Sequence, residues 1–230
     1  MREITKDSNL FAETDKRVEK ELRSIVKKFN ALNSRFGALK FDELNSFASI
    51  VLSVVQATYR DVDEDARDMF MFLYWYMYCY VTEKDRNSVY WPAVREKVDK
   101  LLTTPNDVTG YKYTDELDRK RARLVETLVA DISTTGYLTH SARIRNDVKK
   151  AEKNLARQVK QYADNVTLRA VYDAYEDLGV DKVQWITQHD KKVCADCRRL
   201  DGRIFAINKA PGPVHYNCRC FLIPVHFAQK

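Results

Sequence analysis

The sequence predicts a mainly α chain: a long helical N-terminal arm or bundle, followed by a small α+β module at the C-terminus. Three observations carry this. Only six Gly and five Pro occur in 230 residues, with 45% hydrophobic and 31% charged side chains, so most of the chain belongs in regular elements around a sizeable core. Apolar residues recur at spacings of three and four along the first 180 or so positions. After Gly179 that periodicity gives way to short β-like runs among clustered cysteines.

Val18, Leu22, Ile25, Phe29 and Leu32 place one apolar face on a helix over residues 13–34, closed near Gly37. Leu44, Phe47, Val51, Val54 and Val55 give a second helix, started by Asp42 and running to Thr58. Residues 61–68 hold five acids and one Arg and read as a solvated turn and the start of a third helix. That helix includes residues 69–81, whose tyrosines, phenylalanines, methionines and Trp75 cover every side. Such a helix is central to a core or contacts a second chain. Trp91 and Pro92 open another, with Val94, Val98 and Leu101 inward.

Residues 103–114, with Pro105 and Gly110, form the internal boundary. A helix over 115–134 then carries Leu117, Leu124, Leu128 and Ile132 on one face, and Gly136 closes it. Thr139 or Ser141 caps a long helix with Val148, Ala151, Leu155, Val159 and Tyr162 inward, continuing or restarting through Val171, Tyr175 and Leu178. Strands follow over 183–187, 203–207 and 219–225, the second after the turn former Asp201-Gly202. The organisation is therefore a helical region over 1–104, long helices over 115–180 and a three-stranded module over 181–230.

The net charge of +6 lies downstream: residues 1–100 carry 17 basic and 17 acidic side chains, residues 101–230 carry 22 and 16. This favours an acidic partner without establishing nucleic-acid binding. The 13-residue apolar run at 69–81 is shorter than the roughly 20 residues a helix needs to cross a bilayer. No secretory signal opens the sequence, so cytoplasmic synthesis is expected.

Four of the five cysteines fall within 27 residues, which in a cytoplasmic chain points to a metal before disulfides. Cys79 stands apart as a buried thiol. Cys194 and Cys197 form a C-x2-C pair that a tight turn can aim at one corner of a tetrahedron. His215, Cys218 and Cys220 follow the rigid Pro211-Gly-Pro213 segment. These five residues compete for four positions around one structural Zn2+, which would staple strands too short to hold themselves. An extended chain at Arg219 would point Cys218 and Cys220 the same way and leave His215 outside; a turn at Asn217 would pair His215 with Cys218 and send Cys220 into the core. Both sets remain open, with the His-containing one favoured.

Four strong ligands close a zinc site, so no enzyme activity is expected. His189-Asp190 resembles an acid/base pair, but Asp190 is explained as a cap and Asp201 as a turn residue. Lys191, Lys192, Arg198 and Arg199 are candidate phosphate contacts, or offset thiolate charge.

The segments Trp185-Ile-Thr-Gln-His-Asp190, Cys194-Ala-Asp-Cys197, Leu200-Asp-Gly-Arg-Ile-Phe205 and Pro213-Val-His-Tyr-Asn-Cys-Arg-Cys220 resemble the C-terminal domain of the phage Mu protein F-like, or head morphogenesis, family of minor capsid proteins. The resemblance covers about 139–225 and makes Asp190, Cys194, Cys197, Asp201, Gly202, His215, Cys218 and Cys220 its signature positions. It departs at Tyr216, where family members usually carry Pro. The resemblance implies a structural minor head protein located in the virion and made in the bacterial host. Its partners would be the portal protein, the major capsid protein, or both, reached through region 1–104, with double-stranded DNA as a further candidate.

Overall fold

Residues 47–82 hold no Gly or Pro, so nothing in the backbone interrupts a helix there. In the computed structural model, which describes residues 9–37, 46–106, 108–135, 141–215, 218 and 220–225, they form one continuous element. The described residues form six helices, α1 (Asn9–Gly37), α2 (Phe47–Thr82), α3 (Trp91–Leu102), α4 (Tyr113–Thr135), α5 (Ser141–Asp177) and the short α6 (Ala195–Leu200). Three strands, β1 (Lys182–Ile186), β2 (Ile204–Ala206) and β3 (Phe221–Pro224), make an antiparallel sheet in the order β2-β1-β3. The protein is mainly helical, with a small sheet and a Cys/His cluster near its C-terminal end.

Helices α1 and α4 each pack against α2 and α5, which pack against each other, around a shared core, with α3 laid on α2. From α1 the core takes Ile25, Phe29, Leu32 and Phe36, with Val18 and Leu22 at its margin. Helix α4 adds Leu117, Leu124 and Leu128, and α5 adds Val148, Leu155, Val159, Tyr162, Val171 and Tyr175. The expected contributions of Leu44 and of the Ile132 side chain, the Asp42 start, and the Gly136 and Thr139 boundary signals lie outside the described residues.

The expected break between a second and a third helix near residues 58–61 is absent. The acids there are not a solvated turn, because cations reach them along and across the bundle. Arg67 sits 3.0 Å from Asp63 and 3.3 Å from Asp99, and Lys28 of α1 pairs with Asp65. With those charges offset, α2 runs through. Its aromatic stretch is central: Met69, Phe70, Leu73, Met77 and Val81 are buried within this chain's own bundle, while Trp75 packs edge-on against Trp91 at 6.1 Å.

Burial works against ionisation of Asp65, but the Lys28 hydrogen bond and charge, with a 3.1 Å bond from the Ser24 hydroxyl, outweigh it and lower the carboxyl below its usual range. A lowered folded-state pKa stabilises the protein above the unfolded value and is lost as pH falls through the folded one. The Asp65 side chain is 45% exposed, so the pair is worth under about 1 kcal/mol. Thermal unfolding of Lys28→Met should show a small deficit near neutral pH that disappears in strong acid. A deficit of the same size at both would assign the loss to the Lys28 stem rather than its charge.

Helix α5 runs 37 residues without restarting and ends in a Schellman motif. Gly179, at φ +72°, donates to the Glu176 carbonyl at 3.0 Å, and the Val180 amide reaches back to Tyr175 at 2.9 Å. This reversal feeds β1 back along α5. Val183 and Trp185 face inward from β1, and Phe221 and Leu222 of β3 join them in the core. Pairing of Ile186 with Phe221 then fixes where the cysteines preceding β3 fall.

Candidate metal centre

Two local structures carry the ligands. The first is the turn into α6, where the Cys194 sulfur accepts a hydrogen bond from the Cys197 amide at 3.3 Å and so caps the helix. That cap sets Cys194 and Cys197 side by side. The second is the segment leading into β3, of which residues 210–215, 218 and 220 are described. Tyr172 of α5 donates to the Pro211 carbonyl and Tyr175 donates to the Leu222 carbonyl at 3.3 Å, so helix α5 holds this segment at both ends. Sequence spacing showed Tyr175 as inward but gave no sign that these two hydroxyls position the ligand loop.

The two structures meet at Cys197, which is buried. Its sulfur lies 3.1 Å from His215 Nε2 and 3.7 Å from the Cys218 sulfur. Ligand atoms of Cys194, Cys197 and His215 lie within 4.8 Å of one another, as do those of Cys197, Cys218 and Cys220. All five sequence candidates therefore converge, with Cys197 common to both triads. A tetrahedral zinc with bonds of about 2.3 Å to sulfur separates its sulfurs by about 3.8 Å, so the donor set and its spacing fit a zinc-binding site. Tyr216, Asn217 and Arg219, on which the choice between ligand sets was framed, lie outside the described residues.

The cluster's protons are unevenly held. A hydrogen bond from Cys220 pulls the Cys218 thiol down to about 5, against its burial, while burial pushes Cys197 up to about 12. Cys220 is raised because its proton is bonded to Cys218, and Cys194 is lowered by the Cys197 amide. Thiolate character is thus greatest at Cys218. A divalent cation would deprotonate all its sulfur ligands outright.

Around the centre, Asp201 is a clamp. Its carboxylate accepts from the Thr187 amide at 2.8 Å and lies 3.4 Å from His189 Nδ1, tying the end of β1 to the end of α6. His189 therefore faces Asp201 rather than Asp190, whose carboxylate accepts from the Lys192 amide at 2.9 Å. Gly202 follows at φ +74°, a left-handed conformation that suits Gly, and donates to the Trp185 carbonyl at 2.8 Å. Lys191 and Lys192 are exposed in the preceding turn. Arg198 donates to the Val193 carbonyl at 3.2 Å, and Arg199 pairs with Asp196.

One feature had no sequence signal. A cavity of about 470 Å³ opens beside Cys218 and Cys220, between α1 and α5, and holds Asp164 and Lys160 on its wall. Burial pushes the Asp164 carboxyl up to about 6 despite Lys160 at 3.4 Å. On sequence alone both residues were ordinary members of a helix.

No curated protein and no solved structure matches the chain. Among the described residues no helix is long and apolar enough to cross a membrane. The family model described as Phage Mu protein F like protein matches residues 115–223, just under half of the sequence. The match begins in the first turn of α4, takes in the whole of α5 and ends in β3, so all five candidate ligands lie inside it. Residues 115–223 thus form a phage Mu protein F-like domain, consistent with a distant link to phage morphogenesis proteins.

Proposed function

We propose that this chain is a structural minor head protein of a tailed phage, associated with the portal and acting in head morphogenesis, whose C-terminal module is stapled by one zinc ion. One observation carries the reading: the segment that matches the phage Mu protein F-like model is the segment whose cysteines and histidine converge on Cys197. Cys194, Cys197, His215 and Cys218 would hold the ion, with Cys220 hydrogen-bonded to Cys218. A bound zinc supplies a rigid cross-link between the α6 turn and the segment leading into β3, and its binding free energy becomes folding free energy. With four positions filled, the role is structural rather than catalytic.

Residues 1–104, the portal- or capsid-facing region of this reading, contribute α1, α2 and α3. Tyr90 and Trp91, 72% and 41% exposed at the start of α3, offer aromatic surface for such a contact. The protein would be made in the host cytoplasm and reside in the virion. A second reading, a phage DNA-binding or DNA-processing protein, draws on the positive excess downstream of residue 100 and would place phosphates on the exposed Lys191, Lys192, Arg198 and Arg199.

Mass spectrometry of purified particles, with cross-linking inside them, tests the first reading. The chain should be present in few copies and cross-link to portal or major capsid protein, and its deletion should stop head maturation. Particles that lack it, with heads that mature normally without it, would reject the assignment.

A further inference from the structure

We propose that the cleft between α4 and α5 binds a compact, phosphate-bearing anion of nucleotide size. The cleft lies on the opposite side of the sequence match from the cysteines and is independent of the zinc reading. Its volume is about 600 Å³, within the range of small-molecule sites.

The two helices run antiparallel, with Arg143 4.0 Å from Asp131 towards one end and the Tyr162 hydroxyl donating to the Tyr111 carbonyl at 2.7 Å towards the other. Helix α4 lines the cleft with Arg119, Lys120 and Arg123, and α5 with Lys150 and Arg157. Arg119 and Arg123 are four residues apart, and Lys150 and Arg157 seven, so each pair projects from one face of its helix. The cations therefore stand in two facing rows. Among the described residues Asp147 is the one carboxylate lining the cleft, and it lies 3.2 Å from Lys150. Glu116 offsets Lys120 at 2.7 Å from behind. The Arg119 guanidinium carbon lies over the Tyr111 ring, 4.1 Å from its centroid. The excess of guanidinium over carboxylate suits an oxyanion with several oxygens, which Arg can meet through paired N–H donors.

The floor supplies the second observation. Tyr59 rises from α2 into the cleft lining, is 1% exposed, and its hydroxyl has no hydrogen-bond partner among the described residues. Buried polar groups are nearly always paired, so an unpaired one beneath a basic rim marks the place of a missing partner. Burial raises the phenol well above its ordinary range, so the group stays a neutral donor and its natural partner is an anionic oxygen. Beside it, Leu124 and Ala151 provide a small apolar wall. A rigid duplex would lie across the rim without reaching this floor, whereas a nucleotide-sized anion can set phosphate among the arginines and its remaining bulk against that wall.

Isothermal titration of the full chain with inorganic pyrophosphate, ATP and a short oligonucleotide tests the site. ATP and pyrophosphate should bind, more weakly as salt rises. Arg123→Gln and Arg157→Gln should each reduce affinity by about tenfold, the effect of losing one charge-assisted bond. Tyr59→Phe should weaken binding severalfold while leaving the thermal midpoint of the free protein unchanged or higher, since it removes an unpaired buried hydroxyl. A structural tyrosine would show the reverse. All three variants should keep the metal content of the unmodified protein, so failure here leaves the zinc reading standing. The proposal is overturned by no binding of either small anion at millimolar concentration, by unchanged affinity in the variants, or by binding of the oligonucleotide alone.

Discussion

Stripping zinc from the purified protein should loosen the C-terminal module and leave the helical bundle standing. The argument is one of relative size. Strand β2 has three residues and β3 four, and β1 pairs with both, so the sheet is too small to hold its own register. A structural zinc contributes roughly 10–16 kcal/mol in isolated finger peptides, comparable to the whole stability of a domain at about 5–15 kcal/mol. Burial of Val183, Trp185, Phe221 and Leu222 in the core they share with the helices retains part of the packing, so the module should loosen rather than detach. Hydrogen exchange should then accelerate across residues 182–224 and stay slow in α2 and the first half of α5. Cys197→Ser should do the same without chelator and should have the largest effect of any ligand substitution, because Cys197 alone belongs to both triads. Replacing His215 should release the metal, and replacing Cys220 should retain it. Protein purified without added metal should carry about one zinc per chain, as four ligands around one ion require. Metal-free protein with freely reactive thiols and unchanged exchange would end the zinc account, and metal lost from the Cys220 variant but kept in the His215 variant would select the all-cysteine set.

What could be read from the sequence followed physical scale. Stripes such as Ile25, Phe29 and Leu32 announce a buried helix face because the helical period acts over a few residues, and the structure buries them. The continuity of α2 was not legible. A run of five acids looks like a solvated turn until Lys28, more than 30 residues upstream, is folded against it. The cysteines, which the structure brings together, were legible as candidate metal ligands from spacing alone. Their convergence on Cys197 was not, because it depends on the pairing of Ile186 with Phe221 and on the hydroxyls of Tyr172 and Tyr175. The same limit hid the α4–α5 cleft: Arg119, Lys120, Arg121 and Arg123 read as a solvated charged face until α5 set Lys150 and Arg157 opposite them.

Phe70→Ala should destabilise the whole bundle by about 3–5 kcal/mol, the usual cost of truncating a fully buried Phe, with about 0.5–1.5 kcal/mol of aromatic pairing at stake within it. Phe70 of α2 is completely buried and meets the Tyr113 ring edge-on at 5.5 Å and 88°. Tyr113, at the start of α4, in turn meets Tyr162 of α5 at 4.9 Å and 73°. One contact chain thus crosses three helices. Hydrogen bonds lock its far end: the Tyr162 hydroxyl donates to the Tyr111 carbonyl, and the Gln158 amide to the Tyr113 carbonyl at 3.2 Å. With its neighbours so fixed, the site cannot collapse into the space a lost ring leaves, which puts the cost towards the upper end of the range. For a chain of this size each kcal/mol lowers the thermal midpoint by about 2–4 °C, so a fall of about 10 °C or more is expected. Leu52→Ala, at an α2 position 45% exposed, should change stability by less than about 0.5 kcal/mol and serves as control. The pattern of loss separates this variant from the metal-free protein: Phe70→Ala should shift the unfolding of helices and module together, because Tyr162 and the module's anchors Tyr172 and Tyr175 share α5. A drop below about 1 kcal/mol, or one confined to α1 and α2, would mean that the aromatic chain does not couple the helices it touches.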